Sequence, residues 1–140
     1  MTHVVDLRPN IINSTIAPQQ LSSGATNGTG RDVSGFVGPV TVVVNAGAFA
    51  GTSPTLDAKV QESSDNSTYT DVTGATMTQL TASGVGTILC IVHTKQYLRV
   101  VATVGGSSTP TVYASAVLFG QPKIGGLSSS TGGYSVSPQS

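Results

Sequence analysis

The chain has 140 residues with six Lys+Arg against six Asp+Glu, so its formal net charge is zero and only 9% of its side chains are charged, where soluble domains carry about a quarter. That balance removes the attraction behind most non-specific binding to nucleic acid, and no Lys/Arg cluster restores it locally; no stretch approaches the roughly 18 apolar residues of a membrane span either. Nucleic acid and membrane are therefore not expected partners, and the length suits one domain without room for a second catalytic or lid domain. With 38% apolar residues the chain is too hydrophobic to be disordered, and its scarcity of charge gives little colloidal repulsion, a property of chains that pack against other chains.

The start, MTHVVDLRPN, lacks a basic segment followed by an apolar one, so no secretory signal is expected. Residues 1–32 read as an extended N-terminal arm, with Ile11, Ile12 and Ile16 followed by a turn-rich stretch that holds Gly24, Gly28 and Gly30. Isoleucines on an extended arm have no use in water, so the arm is expected to dock on its own domain or on a neighbour. Ile11, Ile12 and Ile16 are the candidate interface residues.

Residues 33–120 read as a β domain, because short β-branched runs are cut by turn residues and no window shows apolar spacing at three and four residues. The first run, residues 40–45, lies between Gly38-Pro39 and Ala46-Gly47. In the second, Leu56, Ala58 and Val60 point one way and Asp57, Lys59 and Gln61 the other. Ser63-Ser64-Asp65-Asn66-Ser67 reads as a turn with an Asx motif at Asp65, and residues 69–72 return as a hairpin partner. Thr73-Gly74 is expected to break the chain before another strand at residues 76–80.

Residues 87–92 are apolar throughout and read as a central strand covered on both faces, with Cys90 as an unreactive core thiol. Residues 97–104 alternate, with Leu98, Val100, Ala102 and Val104 on one face. Gly105-Gly106-Ser107-Ser108 reads as a turn, and residues 111–119 place Val112, Ala114, Ala116 and Leu118 inward, with Pro110 at the strand's start. About seven or eight strands result, which predicts an all-β fold, an antiparallel two-sheet β-sandwich of jelly-roll or immunoglobulin-like type. Residues 121–140, rich in Gly and Ser, read as a flexible C-terminal tail.

Chemistry is sparse. His3 and His93 are the only histidines, and neither stands near a recognisable nucleophile motif, metal-ligand spacing or phosphate loop. No cofactor, metal or catalytic residue is expected, and His93 reads as a turn residue. Asp57, Glu62, Asp65 and Asp71 lack the Asp-x-Asp density of calcium loops and read as solvated strand and turn positions. Arg99 is expected to pair across strands with Asp71 or Glu62. Tyr69, Tyr97 and Tyr113 fall on strands, and the absence of Trp argues against a sugar-binding platform.

The run Ser53-Pro54-Thr55-Leu56-Asp57-Ala58-Lys59-Val60-Gln61-Glu62-Ser63-Ser64-Asp65, followed by Tyr69-Thr70-Asp71-Val72-Thr73-Gly74-Ala75, resembles a pattern of small virion proteins of tailed bacteriophages. The segment Gln96-Tyr97-Leu98-Arg99-Val100-Val101-Ala102-Thr103-Val104, with Gly105-Gly106 and a later Thr-Pro, fits the same pattern. The resemblance spans residues 35–120 and is to capsid decoration, or cement, proteins. It implies a non-enzymatic β-sandwich on the capsid exterior of the virion, made in the cytoplasm of the host bacterium. It also implies a homotrimer that stabilises the shell by bridging subunits of the major capsid protein. It transfers no individual contact residue. The alternative is a head-fibre or spike-base module that binds host-surface glycans, and a hydrolase would require His93 in a cleft beside a partner group.

Overall fold

Alternating β-branched runs separated by Gly, Pro and Asx residues leave the backbone to be satisfied by pairing between strands. The computed structural model describes residues 11–122, without the side chains of Ile11, Ile12, Leu89 and Cys90. It is all-β and antiparallel. Its elements are β1 (Ile11–Ser22), β2 (Gly24–Asn27), β3 (Arg31–Asp32), β4 (Phe36–Ser63), β5 (Thr70–Thr76), β6 (Gly84–Ile91) and β7 (Tyr97–Pro122), with no helix among the described residues. All seven belong to one hydrogen-bonded sheet with the path β1-β7-β4-β5, onto which β2 and β3 add through β7 and β6 through β4.

Two strands set the architecture. β4 has 28 residues and β7 has 26, and a straight strand of that length would reach about 90 Å at about 3.3 Å per residue, far beyond a compact domain of this size. They pair along their whole length, from Phe36 opposite Pro122 to Ser63 opposite Tyr97, and three of the four register shifts fall between Ala46 and Thr55. Positive φ angles cluster there and opposite: Gly51 at 104° and Ser53 at 48° in β4, Gly106 at 119°, Ser108 at 55° and Thr109 at 50° in β7. At Gly51 a Cβ would stand 2.7 Å from the Pro110 Cα, so the two bends lie against each other and only glycine fits.

The bends fold the paired strands back on themselves. In β1, Ser14 pairs with Val117 and Ile16 with Ala116, yet the intervening Thr15 Oγ1 accepts the Val100 N–H at 3.1 Å and donates to the Thr29 carbonyl at 2.8 Å. Val100 and Ala116 would be about 50 Å apart on a straight strand. One half of the fold therefore contains β1, β6 and residues 36–46 and 111–122; the other contains β2, β3, β5 and residues 55–63 and 97–105.

The inward residues keep the same parity on both sides of each bend. Val40, Val42 and Val44 precede Leu56, Ala58 and Val60 in β4, while Leu98, Val100, Ala102 and Val104 precede Val112, Ala114, Ala116 and Leu118 in β7. All are at most 6% exposed. Ile16 and Leu21 from β1, Phe36, Met77, Ile88 and Ile91 complete one shared core.

Several expectations change. Residues 11–32 are not an arm beside the domain: β1, β2 and β3 all pair with β7, and Ile16 is 3% exposed because the bulge opposite Ala116 turns it into the core. Gln121 and Pro122 end β7 and so belong to the sheet rather than to the tail. Residues 87–92 do not form a central strand: β6 pairs only with β4 among the described residues, and its side chains alternate, Gly86 and Ile88 buried and Val85 and Thr87 exposed. Gly74, at φ 77°, makes an irregularity inside β5 rather than a break, and beyond Thr76 only single bonds, Met77 N–H to the Ala58 carbonyl and the Leu80–Leu56 bridge, continue the pairing. Pro110 sits within β7, at its bend. The burial expected for the Cys90 thiol lies outside the described side chains.

The closure at Thr15 is testable. Thr15→Val keeps the shape but strands the buried Val100 N–H, so stability in urea unfolding is expected to fall by about 1–3 kcal/mol, with Thr15→Ser recovering most of it. A loss of Thr15→Val below roughly 0.5 kcal/mol would contradict this role.

Candidate interaction surface

The fold separates charge from its absence. Nine charged residues lie within residues 11–122, namely Arg31, Asp32, Asp57, Lys59, Glu62, Asp65, Asp71, Lys95 and Arg99. Every one belongs to the half built from β3, β5, residues 55–63 and 97–105, or to its loops. Their side chains hold one another and the turns. Asp65 Oδ1 accepts the Ser67 and Thr68 N–H groups at 2.9 and 2.8 Å and the Ser63 hydroxyl at 2.8 Å, the Asx geometry expected of that turn. The Thr68 and Ser67 amides, then the Ser63 hydroxyl, lower its pKa to about 2.

Arg99 does not pair with Asp71 or Glu62. Its Nε and Nη2 donate to Gln61 Oε1 at 2.9 and 2.8 Å, and its guanidinium lies 3.9 Å over the Tyr69 ring, because Gln61 is its direct cross-strand neighbour. Asp71 takes Gln61 Nε2 at 2.7 Å and Lys59 Nζ at 2.9 Å, and those contacts lower its pKa in that order. Glu62 accepts the Thr94 N–H and hydroxyl, both at 2.9 Å; burial pushes its pKa up, but these bonds and Lys95 outweigh it and hold it below the usual value. Asp57 binds Gln79 Nε2. The four carboxylates thus serve separate partners, and among the described residues no three His, Cys, Asp or Glu side chains converge on a metal position. His93 Nδ1 lies 2.9 Å from the Lys95 carbonyl in the loop before β7.

The other half carries no charged side chain among its described strands. Its inward residues fill the core, so their neighbours point out. Val43 stands between Val117 and Thr87, Asn45 between Ser115 and Val85, and Thr41 beside Phe119. Val85 is 62% and Tyr113 52% exposed, while Val43, Val117 and Phe119 are half-buried. Val37 and Val92 are exposed near the far end of the same half. The result is an uncharged sheet face on which apolar side chains, Val43, Val85, Val117 and Phe119, stand among small polar ones, Thr41, Asn45, Thr87 and Ser115. At one end, Pro18, Gln19, Asn45, Gly47, Tyr113 and Ser115 border an open groove of about 290 Å³.

Of the sequence-predicted interface residues, Ile16 lies in the chain's own core and is not presented to a partner. Ile11 and Ile12 pair through their backbones with Gly120 and Phe119, and their side chains lie outside the described part. The outward positions of the runs at 40–45, 84–88 and 111–119 were the missed signal: they are as free of charge as the inward ones. Comparison with protein-family models and with curated proteins finds no match.

The Asp65 turn gives a pH test. A lowered carboxylate pKa adds stability that is full above the unfolded value near 4 and is lost as pH falls through about 2. Asp65→Asn is therefore expected to be less stable than the unmodified chain at neutral pH, with the difference closing between about pH 4 and pH 2 in thermal melts. An equal difference at pH 7 and pH 2 would refute the assignment.

Proposed function

We propose that this chain is a non-enzymatic virion structural protein of a tailed phage. On this reading it is a decoration, or cement, protein on the outside of the capsid that stabilises the shell by bridging subunits of the major capsid protein. The observation that carries the reading is the uncharged face formed by Thr41, Val43, Val85, Val117 and Phe119, opposite a half that holds every described charge. A face of this kind meets a protein surface at little desolvation cost, whereas the charged half stays hydrated. The short strings that resemble small virion proteins lie on residues 53–75 and 96–106 and build the charged half, so they support the fold of the family and leave the docking face to be read from burial. Stabilisation follows from mass action, since a protein that binds only the assembled shell favours that state.

A second reading, a head-fibre or spike-base module for host glycans, draws on the Tyr113 groove, where an exposed ring is bordered by the Asn45 and Gln19 amides. Binding to a glycan array that Tyr113→Ala abolishes would favour that reading.

Val43→Lys puts a charge at the centre of the face, on a side chain already half exposed. In co-sedimentation with purified heads that lack the protein, its affinity is expected to fall at least tenfold, about 1.4 kcal/mol, with an unchanged circular dichroism spectrum. Lys59→Glu, on the charged half, is expected to bind like the unmodified chain. Equal binding by Val43→Lys would overturn the docking face.

A further inference from the structure

The sheet has unequal edges. An unpaired edge strand offers a row of N–H and C=O groups to any passing chain, and folded proteins blunt such edges with charge, proline, bulges or shortness. β1 is blunted: Thr29 N–H donates to the Thr15 carbonyl at 2.7 Å, Arg31 Nε donates to the Ser14 carbonyl at 2.7 Å, and two bulges and Pro18 interrupt the rest. β5 carries Asp71 and the Gly74 irregularity. β2 and β3 have four and two residues. β6 has one of these devices, a bulge where Ile88 to Ile91 spans three steps against two from Val42 to Val40 in β4, but its Gly84–Ile88 stretch pairs in unbroken register and has no other. Its eight residues, Gly84-Val85-Gly86-Thr87-Ile88-Leu89-Cys90-Ile91, hold no charge and no proline, and among the described residues their only backbone partner is β4. Val85 and, just past the strand, Val92 are 62% and 72% exposed.

We infer that the β6 edge is an interface for a second copy of this chain, joined β6 to β6, antiparallel, about a two-fold axis. Three observations select that occupant. An isologous contact pairs the edge with itself, so a charge near the two-fold axis would face its own copy; β6 carries none. A head-to-tail contact, as a three-fold ring built by sheet continuation requires, needs a second open edge, and the others are blunted: β1 by the bonds to Ser14 and Thr15, Pro18 and two bulges, β5 by Asp71 and Gly74, β2 and β3 by shortness. Finally, pairing two copies joins their uncharged faces side by side, each four strands or about 19 Å wide, into one face about 38 Å wide. The inference goes beyond the capsid reading and does not depend on it.

Sedimentation velocity of the full chain tests the contact. A dimer is expected that dissociates on dilution, and Thr87→Lys, an exposed position at the centre of β6, is expected to weaken dimerisation at least tenfold. Gln20→Lys, on β1 at the opposite edge, is expected to leave it unchanged. Hydrogen exchange supplies a second readout that needs no variant: amides in residues 84–91 are expected to be protected at high concentration and to lose protection on dilution. A monomer at all concentrations, a trimer, a dimer insensitive to Thr87→Lys, or β6 exchange that ignores concentration would overturn the inference. Head binding separates this result from the capsid reading, since Val43→Lys is expected to lose heads while remaining dimeric.

Discussion

The fold depends on how two very long paired strands are made to close. β4 and β7 are too long to lie flat in a domain of this size, and they bend where Gly51 and Gly106 adopt left-handed backbone and the two bends touch. Closure yields a core only because the inward residues keep even parity through both bends, so Val44 and Leu56, or Val104 and Val112, face the same interior. A one-residue slip at either bend would turn half of the apolar side chains to water. Thr15 then ties the halves together, bonding the N–H of Val100 from a strand that pairs with Ala116 and Val117.

Because one ribbon makes both halves, the outer faces inherit whatever sequence flanks each bend. Downstream of the β4 bend and upstream of the β7 bend, the outward positions are Asp57, Lys59, Gln61 and Arg99, and they build a hydrated lattice with Tyr69, Asp71 and the Asp65 turn. On the other side of the bends the outward positions are Thr41, Val43, Asn45, Ser115, Val117 and Phe119. The bends therefore divide charged outward positions from uncharged ones.

Much of this was legible in the sequence. The inward sets at 56–60, 98–104 and 112–118 follow from alternation alone, and the Asx turn at Asp65 follows from its residue types. What was not legible depended on long-range pairing. Ile16 looked exposed because nothing local shows that β1 lies against residues 111–120. The apolar run 87–92 looked central because continuous hydrophobicity marks burial without saying whether the cover is sheet, partner or nothing. Arg99 looked ready for a carboxylate because cross-strand register, which sets Gln61 opposite it, cannot be counted from composition. The uncharged face is hard to read from sequence for a related reason: its outward positions are marked by the charge they lack rather than by any residue they carry.

For the proposed capsid role the most direct measurement is the orientation of the chain on a phage head to which it has been bound, read by cryo-electron microscopy at a resolution that separates strands. Val43, Val117 and Phe119 are expected against the shell, with Asp65, Lys59 and Asp71 toward solvent. A map with the charged half seated on the capsid and the uncharged face toward solvent would contradict it.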